Sequence, residues 1–171
     1  MAIQAPSTHN VVQCVKFVLP STNVSVPAYG NNLANFRQWG STSINITPKF
    51  ANSHIRIVQN TMTYGVNSHF YLTWKRGGTS GTWMHTDTNA GGSASSDGLF
   101  VNHNATYSNY WSAVVIFEDA NPSYSLGNSI NYVPYVGCWN SRTLHLNNYA
   151  NNGNGETGFG TQGYLEEIAY T

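Results

Sequence analysis

The stretch His54-Ile-Arg-Ile-Val-Gln-Asn-Thr-Met-Thr-Tyr64 decides the fold class. Ile55, Ile57, Gln59, Thr61 and Thr63 fall on one side of a two-residue repeat, and Arg56, Val58, Asn60, Met62 and Tyr64 on the other. β-branched residues dominate, and no helical spacing of apolar positions competes. Gly65 closes the run, and His69–Arg76 reads as the return strand of a hairpin.

Working outward, the same grammar recurs. Val11–Leu19, Ser41–Thr47, Tyr110–Glu118, Ile130–Trp139 and Thr143–Leu146 are short β-like runs, with a brief extra strand at Leu99–Val101. Gly, Asn, Ser and Pro punctuate them. The final Gly163–Thr171 is helical by propensity but only one short run, and is expected to close a sheet as a strand. Pro20 to Gly40, Gly77 to Asn109 and Asn147 to Gly163 read as long polar loops. About eight strands at this spacing predict one all-β domain, an antiparallel β-sandwich of jelly-roll type. Residues 1–10 read as a polar docking arm and 11–171 as the domain.

Composition narrows function. The 171 residues carry 7 Lys+Arg, 7 Asp+Glu, 11 Tyr, 5 Trp and 7 Phe. Full charge is far rarer than the usual quarter, and the net charge is zero, so the phosphate-neutralising term of nucleic-acid binding is missing. Neutral amides and hydroxyls desolvate more cheaply than ions. Such a surface suits contact with copies of itself, or with sugars, better than charge-driven chemistry. No run is long and apolar enough for a membrane-spanning helix, and the N-terminus lacks the basic start and apolar core of a signal peptide. Synthesis and first folding in the cytoplasm are therefore expected. The sequons at Asn23, Asn45 and Asn104 are then chance matches in an Asn-rich chain.

Cys14 and Cys138 each sit in an apolar run and read as reduced, buried small hydrophobes. A disulfide between them would need neighbouring strands, and their spacing is not that of a zinc site. His54, His69 and His145 read as hydrogen-bonded sheet residues. His85 and His103 lie in the long loop near Asp87 and Asp97, but without metal-ligand spacing, and no metal or cofactor is expected. Glu118-Asp119 and Glu166-Glu167 are the adjacent carboxylates. Glycoside hydrolysis needs two carboxylates facing across a sugar, whereas strand neighbours point to opposite faces, so each pair reads as a solvated strand end. No catalytic residues are assigned, and no enzyme is expected.

The aromatics of the loops are the candidate binding set. Trp83, Phe100, Tyr107, Tyr110 and Trp111 cluster around the long loop, with Trp39, Tyr149 and Phe159 beside the others. Rings beside amides and carboxylates can take a sugar, ring on C–H face and amide on hydroxyl. Trp83, His85, Asp87, Tyr107 and Tyr110 are the candidate ligand-binding residues. The alternative is that these rings anchor loops or meet other subunits; Trp74 and Trp139 read as core or interface.

Several stretches resemble virion surface proteins of tailed bacteriophages. Ile44-Asn-Ile-Thr-Pro48 followed by His54-Ile-Arg-Ile-Val58 is similar to a strand end, Ser-rich turn and strand that occur together there. Val11-Val-Gln-Cys-Val-Lys-Phe17 resembles the opening strand, and Leu165-Glu-Glu-Ile-Ala169 the closing one. Tyr132-Val-Pro-Tyr-Val136 and Thr143-Leu-His-Leu-Asn-Asn148 fit the late half. The resemblance covers residues 11–171 and implies a jelly-roll homotrimer on the particle exterior, with no catalytic residues. Its partners would be other copies of the chain and the major capsid protein or a tail component. Two departures stand out: His54 replaces a usual Lys, and only the short arm precedes the first strand instead of a fibrous shaft. A capsid decoration subunit is expected ahead of a fibre tip that recognises host glycan.

Overall fold

The computed structural model describes residues 9–30, 32–64, 69–84, 100–103, 110–120, 122–147 and 160–170, with the backbone alone for 62–64, 100–103, 110–113 and 170. The chain is all-β and β-sandwich-like: among the described residues there are twelve strands and a single 3-10 turn, Leu33–Asn35, but no α-helix. The strands are β1 His9–Val18, β2 Thr22–Val26, β3 Arg37–Gln38, β4 Ile44–Ile46, β5 His54–Tyr64, β6 His69–Arg76, β7 Thr82–Trp83, β8 Phe100–His103, β9 Tyr110–Asp119, β10 Ile130–Cys138, β11 Arg142–Leu146 and β12 Gln162–Tyr170.

They form two antiparallel sheets, neither closed into a barrel. The front sheet runs β1-β12-β5-β11-β2, with β9 on the other edge of β5. The back sheet runs β3-β10-β6-β7, with β4 also on β10 and β8 also on β6. The expected strands are present, and the terminal run is a strand, β12, as read from the sequence. Three further strands, β2, β3 and β7, lie within stretches read as loops.

The expected hairpin of β5 and β6 is not formed. β5 is held by β12 on one edge and by β9 on the other. No edge remains for β6 along most of its length, and β6 pairs instead with β10, β7 and β8 in the opposite sheet.

The two inner faces share one core. Ile55, Ile57, Leu165, Phe117 and Phe17 come from the front sheet, and Phe70, Leu72, Trp74, Tyr132 and Val136 from the back. Phe17 and Trp74 meet edge to face across it, ring centres 5.5 Å apart. The alternation of β5 places Ile55, Ile57, Gln59 and Thr61 inward, all buried. Pro134 is tolerated in the middle of β10 because its carbonyl side faces the junction between β4 and β3, where Trp39 donates to its oxygen at 2.9 Å. The missing donor therefore removes nothing from the ladder with β6.

Both cysteines are free. Cys138 is buried in the core, as expected, but Cys14 is exposed. The reason is parity: Phe17 and Val15 take the inward positions of β1, which turns Cys14, Lys16 and Val18 outward. Burial of its surroundings and the nearby Glu166 carboxylate raise the Cys14 thiol pKa above its ordinary value.

Candidate functional site: an aromatic platform and a polar cleft

The back sheet has a second, smaller core on its outer side. Tyr71, Val133 and Tyr135 point away from the main core and are covered by Tyr29 and Phe36, with Leu33 and Trp83 packed around them. The covering segment is stitched down by its own polar groups. Asn32 Oδ1 accepts from the Ala34 amide and caps the 3-10 turn. Asn35 Nδ2 donates to the carbonyls of Ala28 and Tyr29, and Arg37 Nη1 to those of Ala34 and Phe36. Phe36 lies flat enough on β10 that a Cβ on Gly137 would come within 2.8 Å of its ring.

Trp83 belongs to this platform. Its ring is half-buried and packs edge-on against Tyr135 at 4.8 Å and Phe36 at 6.0 Å. Lys75 Nζ sits 4.3 Å from the Trp83 ring centre and 5.1 Å from that of Tyr135, and donates to the Thr79 carbonyl at 2.9 Å. An ammonium over two rings is a cation–π arrangement. At the other end His69 lies parallel to Tyr71 at 6.4 Å, and the exposed Trp139 is 5.9 Å from His69. Burial, then Tyr29 and Cys138, push the Tyr71 hydroxyl up to about 12; its oxygen has no hydrogen-bond partner among the described residues.

Of the other candidate binding residues, His85, Asp87 and Tyr107 lie outside the described residues, as do Asp97, Tyr149 and Phe159. Tyr110 opens β9, opposite Tyr64, with its side chain likewise outside the description. Trp39 is a core residue, fully buried, with Nε1 donating to the Pro20 carbonyl.

The covering residues Tyr29 and Phe36, and Tyr135 beneath them, carry no signal of their own in the sequence. An indirect signal exists: β10 is apolar at almost every position, and β6 has Phe70, Tyr71 and Leu72 in succession, the mark of a strand buried on both faces. Such a strand requires something to cover its far side.

The carboxylate pairs divide as strand neighbours must, but only half of each is a solvated end. Glu118 faces out to His54 Nδ1 at 2.6 Å, while its neighbour Asp119 accepts from Arg76 at 2.8 Å and from the Tyr132 hydroxyl at 2.8 Å. Burial and Asp119 together hold Tyr132 strongly in its protonated form. Glu166 faces out to Arg56, and Glu167 is fully buried. Glu167 accepts from the amides of Lys49 and Phe50 and from Ser53 Oγ, so its charge fastens the 49–53 turn. These buried carboxylates have structural occupations. His145 Nδ1 meets Asn23 Oδ1 at 3.0 Å.

Beside the Arg76–Asp119 pair lies an open cleft of about 600 Å3. Thr82, Ser123, Tyr124, Ser125, Asn128 and Asn131 line it together with Arg76. Tyr124 is itself fixed, donating to the Phe50 carbonyl and accepting from the Ser53 amide. A hollow lined by hydroxyl- and amide-bearing residues, with one ion-paired arginine in its wall, suits a polyhydroxylated ligand better than a flat apolar one.

No known protein family matches the chain, and no curated protein matches it.

Proposed function

We propose that this chain is a non-enzymatic structural protein of the exterior of a tailed-bacteriophage particle, foremost a capsid decoration subunit. In this reading it folds as a jelly roll, assembles as a homotrimer, and docks on the major capsid protein or a tail component through residues 1–10. It is made in the host cytoplasm and ends in the virion. The observation that carries the proposal is the pairing of a β-sandwich-like scaffold with an almost charge-free, amide- and aromatic-rich composition. Buried contacts between subunits deplete charge and enrich aromatics. The resemblance of residues 11–171 to virion surface proteins points the same way.

The polar cleft favours a second reading, a fibre tip that recognises host glycan. One experiment separates them. Purified full-length protein is mixed with capsids stripped of accessory proteins and, separately, with host envelope glycans. Binding to capsids alone, lost on deleting residues 1–8, which stops short of β1, while the oligomer survives, supports decoration. Binding to glycans alone, lost in Asn128→Ala with Asn131→Ala, supports the fibre tip. Binding to neither overturns both.

A further inference from the structure

The cleft beside Arg76 lies between two short segments that the chain fixes from behind. On one side the 77–81 turn folds back so closely that a Cβ on Gly81 would overlap the Arg76 carbonyl, and the Gly77 amide donates to the Asn131 carbonyl at 2.7 Å. On the other side the Asn128 amide donates to the Ser125 carbonyl at 3.0 Å, and Asn131 Nδ2 to Asn45 Oδ1 at 2.7 Å. Tyr124 is tied through its hydroxyl to the 49–53 turn, which the buried Glu167 carboxylate fastens. That hydroxyl both donates and accepts within the chain, so the half-buried ring is what Tyr124 can offer a ligand.

Around this frame Thr82, Ser123, Ser125, Asn128 and Ser129 are exposed lining residues. A ring thus stands among hydroxyl- and amide-bearing side chains. That combination takes the C–H face and the hydroxyls of a pyranose together. The volume, about 600 Å3, is within the span of roughly 300–1,000 Å3 that small-ligand sites occupy.

The charge beside the cleft decides which sugar. Arg76 Nη1 donates to both Asp119 oxygens, at 2.8 and 3.0 Å, and Asp119 also accepts from the Tyr132 hydroxyl. The Asp119 side chain is only 10% exposed. An acidic sugar claiming Arg76 would strand that carboxylate, and breaking a mostly buried pair by removing one partner is costly. A neutral sugar leaves the pair intact.

We propose that the cleft binds a neutral sugar, a segment of an uncharged polysaccharide, and not an acidic glycan. The proposal deepens the fibre-tip reading and rests on it, not on decoration or on the trimer. A frame fixed before the ligand arrives loses little ordering entropy on binding, so a few contacts suffice.

The test is calorimetric titration of the full-length protein with two sets of oligosaccharides of equal length. The neutral set comprises glucans, mannans and galactans; the acidic set comprises polysialic acid and polygalacturonate. A neutral probe should bind, with an affinity that changes less than about twofold when salt is raised, since no charge is exchanged. Ser125→Ala with Asn128→Ala should weaken it about tenfold, and Tyr124→Leu, which removes the ring, by at least about tenfold. Ser125 and Asn128 are exposed, so their double variant should keep the near-ultraviolet spectrum and serves should Tyr124→Leu misfold.

Tighter, salt-dependent binding of the acidic set through the same residues overturns the neutral class and leaves the fibre-tip reading. Neutral binding indifferent to these substitutions overturns the cleft as the site and also leaves that reading. Binding of neither set overturns the inference, and capture of host envelope glycans, scored separately, shows whether the fibre-tip reading outlives it.

Discussion

On the back sheet the outward residues Tyr71, Val133 and Tyr135 lie beneath Tyr29 and Phe36, whereas the outward Val114, Ile116 and Tyr164 of the front sheet face open solvent. Both faces carry outward apolar residues, those of the front sheet interspersed with Lys16, Arg56, Glu118 and Glu166, yet one face is covered within the chain and the other is not. The difference begins in local sequence. The segment between β2 and β3 carries Tyr29, Leu33 and Phe36 among Asn residues that can cap and staple it, so it can fold back as a lid. No described segment covers Val114 and Ile116. A covered face contributes to the stability of one chain; an uncovered one can contribute only when something else arrives.

The largest effect should follow from removing the lid. Phe36→Ala deletes a buried ring that touches Tyr29, Tyr71 and Trp83, and should cost about 3–5 kcal/mol in urea unfolding. If it costs no more than Ile116→Ala, the contrast between the faces fails. Gly137→Ala should come next. Its Cβ would meet the Phe36 ring at 2.8 Å, and lifting the lid by that much should cost about 1–3 kcal/mol.

A pH titration sharpens the comparison on the covered side. Tyr71 has a folded pKa of about 12 against an ordinary 10. Its folded pKa is raised, so stability is full below pH 10 and falls as pH climbs from 10 towards 12, because the unfolded chain ionises first. Tyr71→Phe should flatten that slope in alkaline unfolding curves. At neutral pH it should be near neutral or slightly stabilising, since it removes a buried hydroxyl without a partner. A cost above about 2 kcal/mol at pH 7 would mean the hydroxyl is bonded. The smallest effect belongs to the open face: Val114→Ser and Ile116→Ser should each move the stability of the dissociated chain by less than about 0.5 kcal/mol.

Most of the strand inventory was legible from alternation. β5 shows it best, with Ile55, Ile57, Gln59 and Thr61 buried as their period requires. Pairing was not legible. Alternation says which way a residue points but not which strand lies beside it, and β6 left for the other sheet although it follows β5 closely. β3 and β7, two residues each, are too short to show a period. The candidate site was legible only at Trp83. Its partners Tyr135 and Phe36 come from distant segments, and no local spacing links them. The split of Glu166 from Glu167 follows from parity, but the buried half is stabilised by backbone amides of residues 49 and 50, which carry no side-chain signal.

The pairing of β1 with β12, which joins His9 to Tyr170, has a consequence for biosynthesis. A ribosome delivers β1 and β5 long before the strand that must lie between them. Until β12 emerges, the nascent chain carries two open strand edges, and the 49–53 turn lacks the carboxylate that ties it down. The front sheet can therefore be completed only after translation has passed Tyr170, with the slow closure that non-local pairing brings. A chain arrested a few residues earlier would be exposed to aggregation.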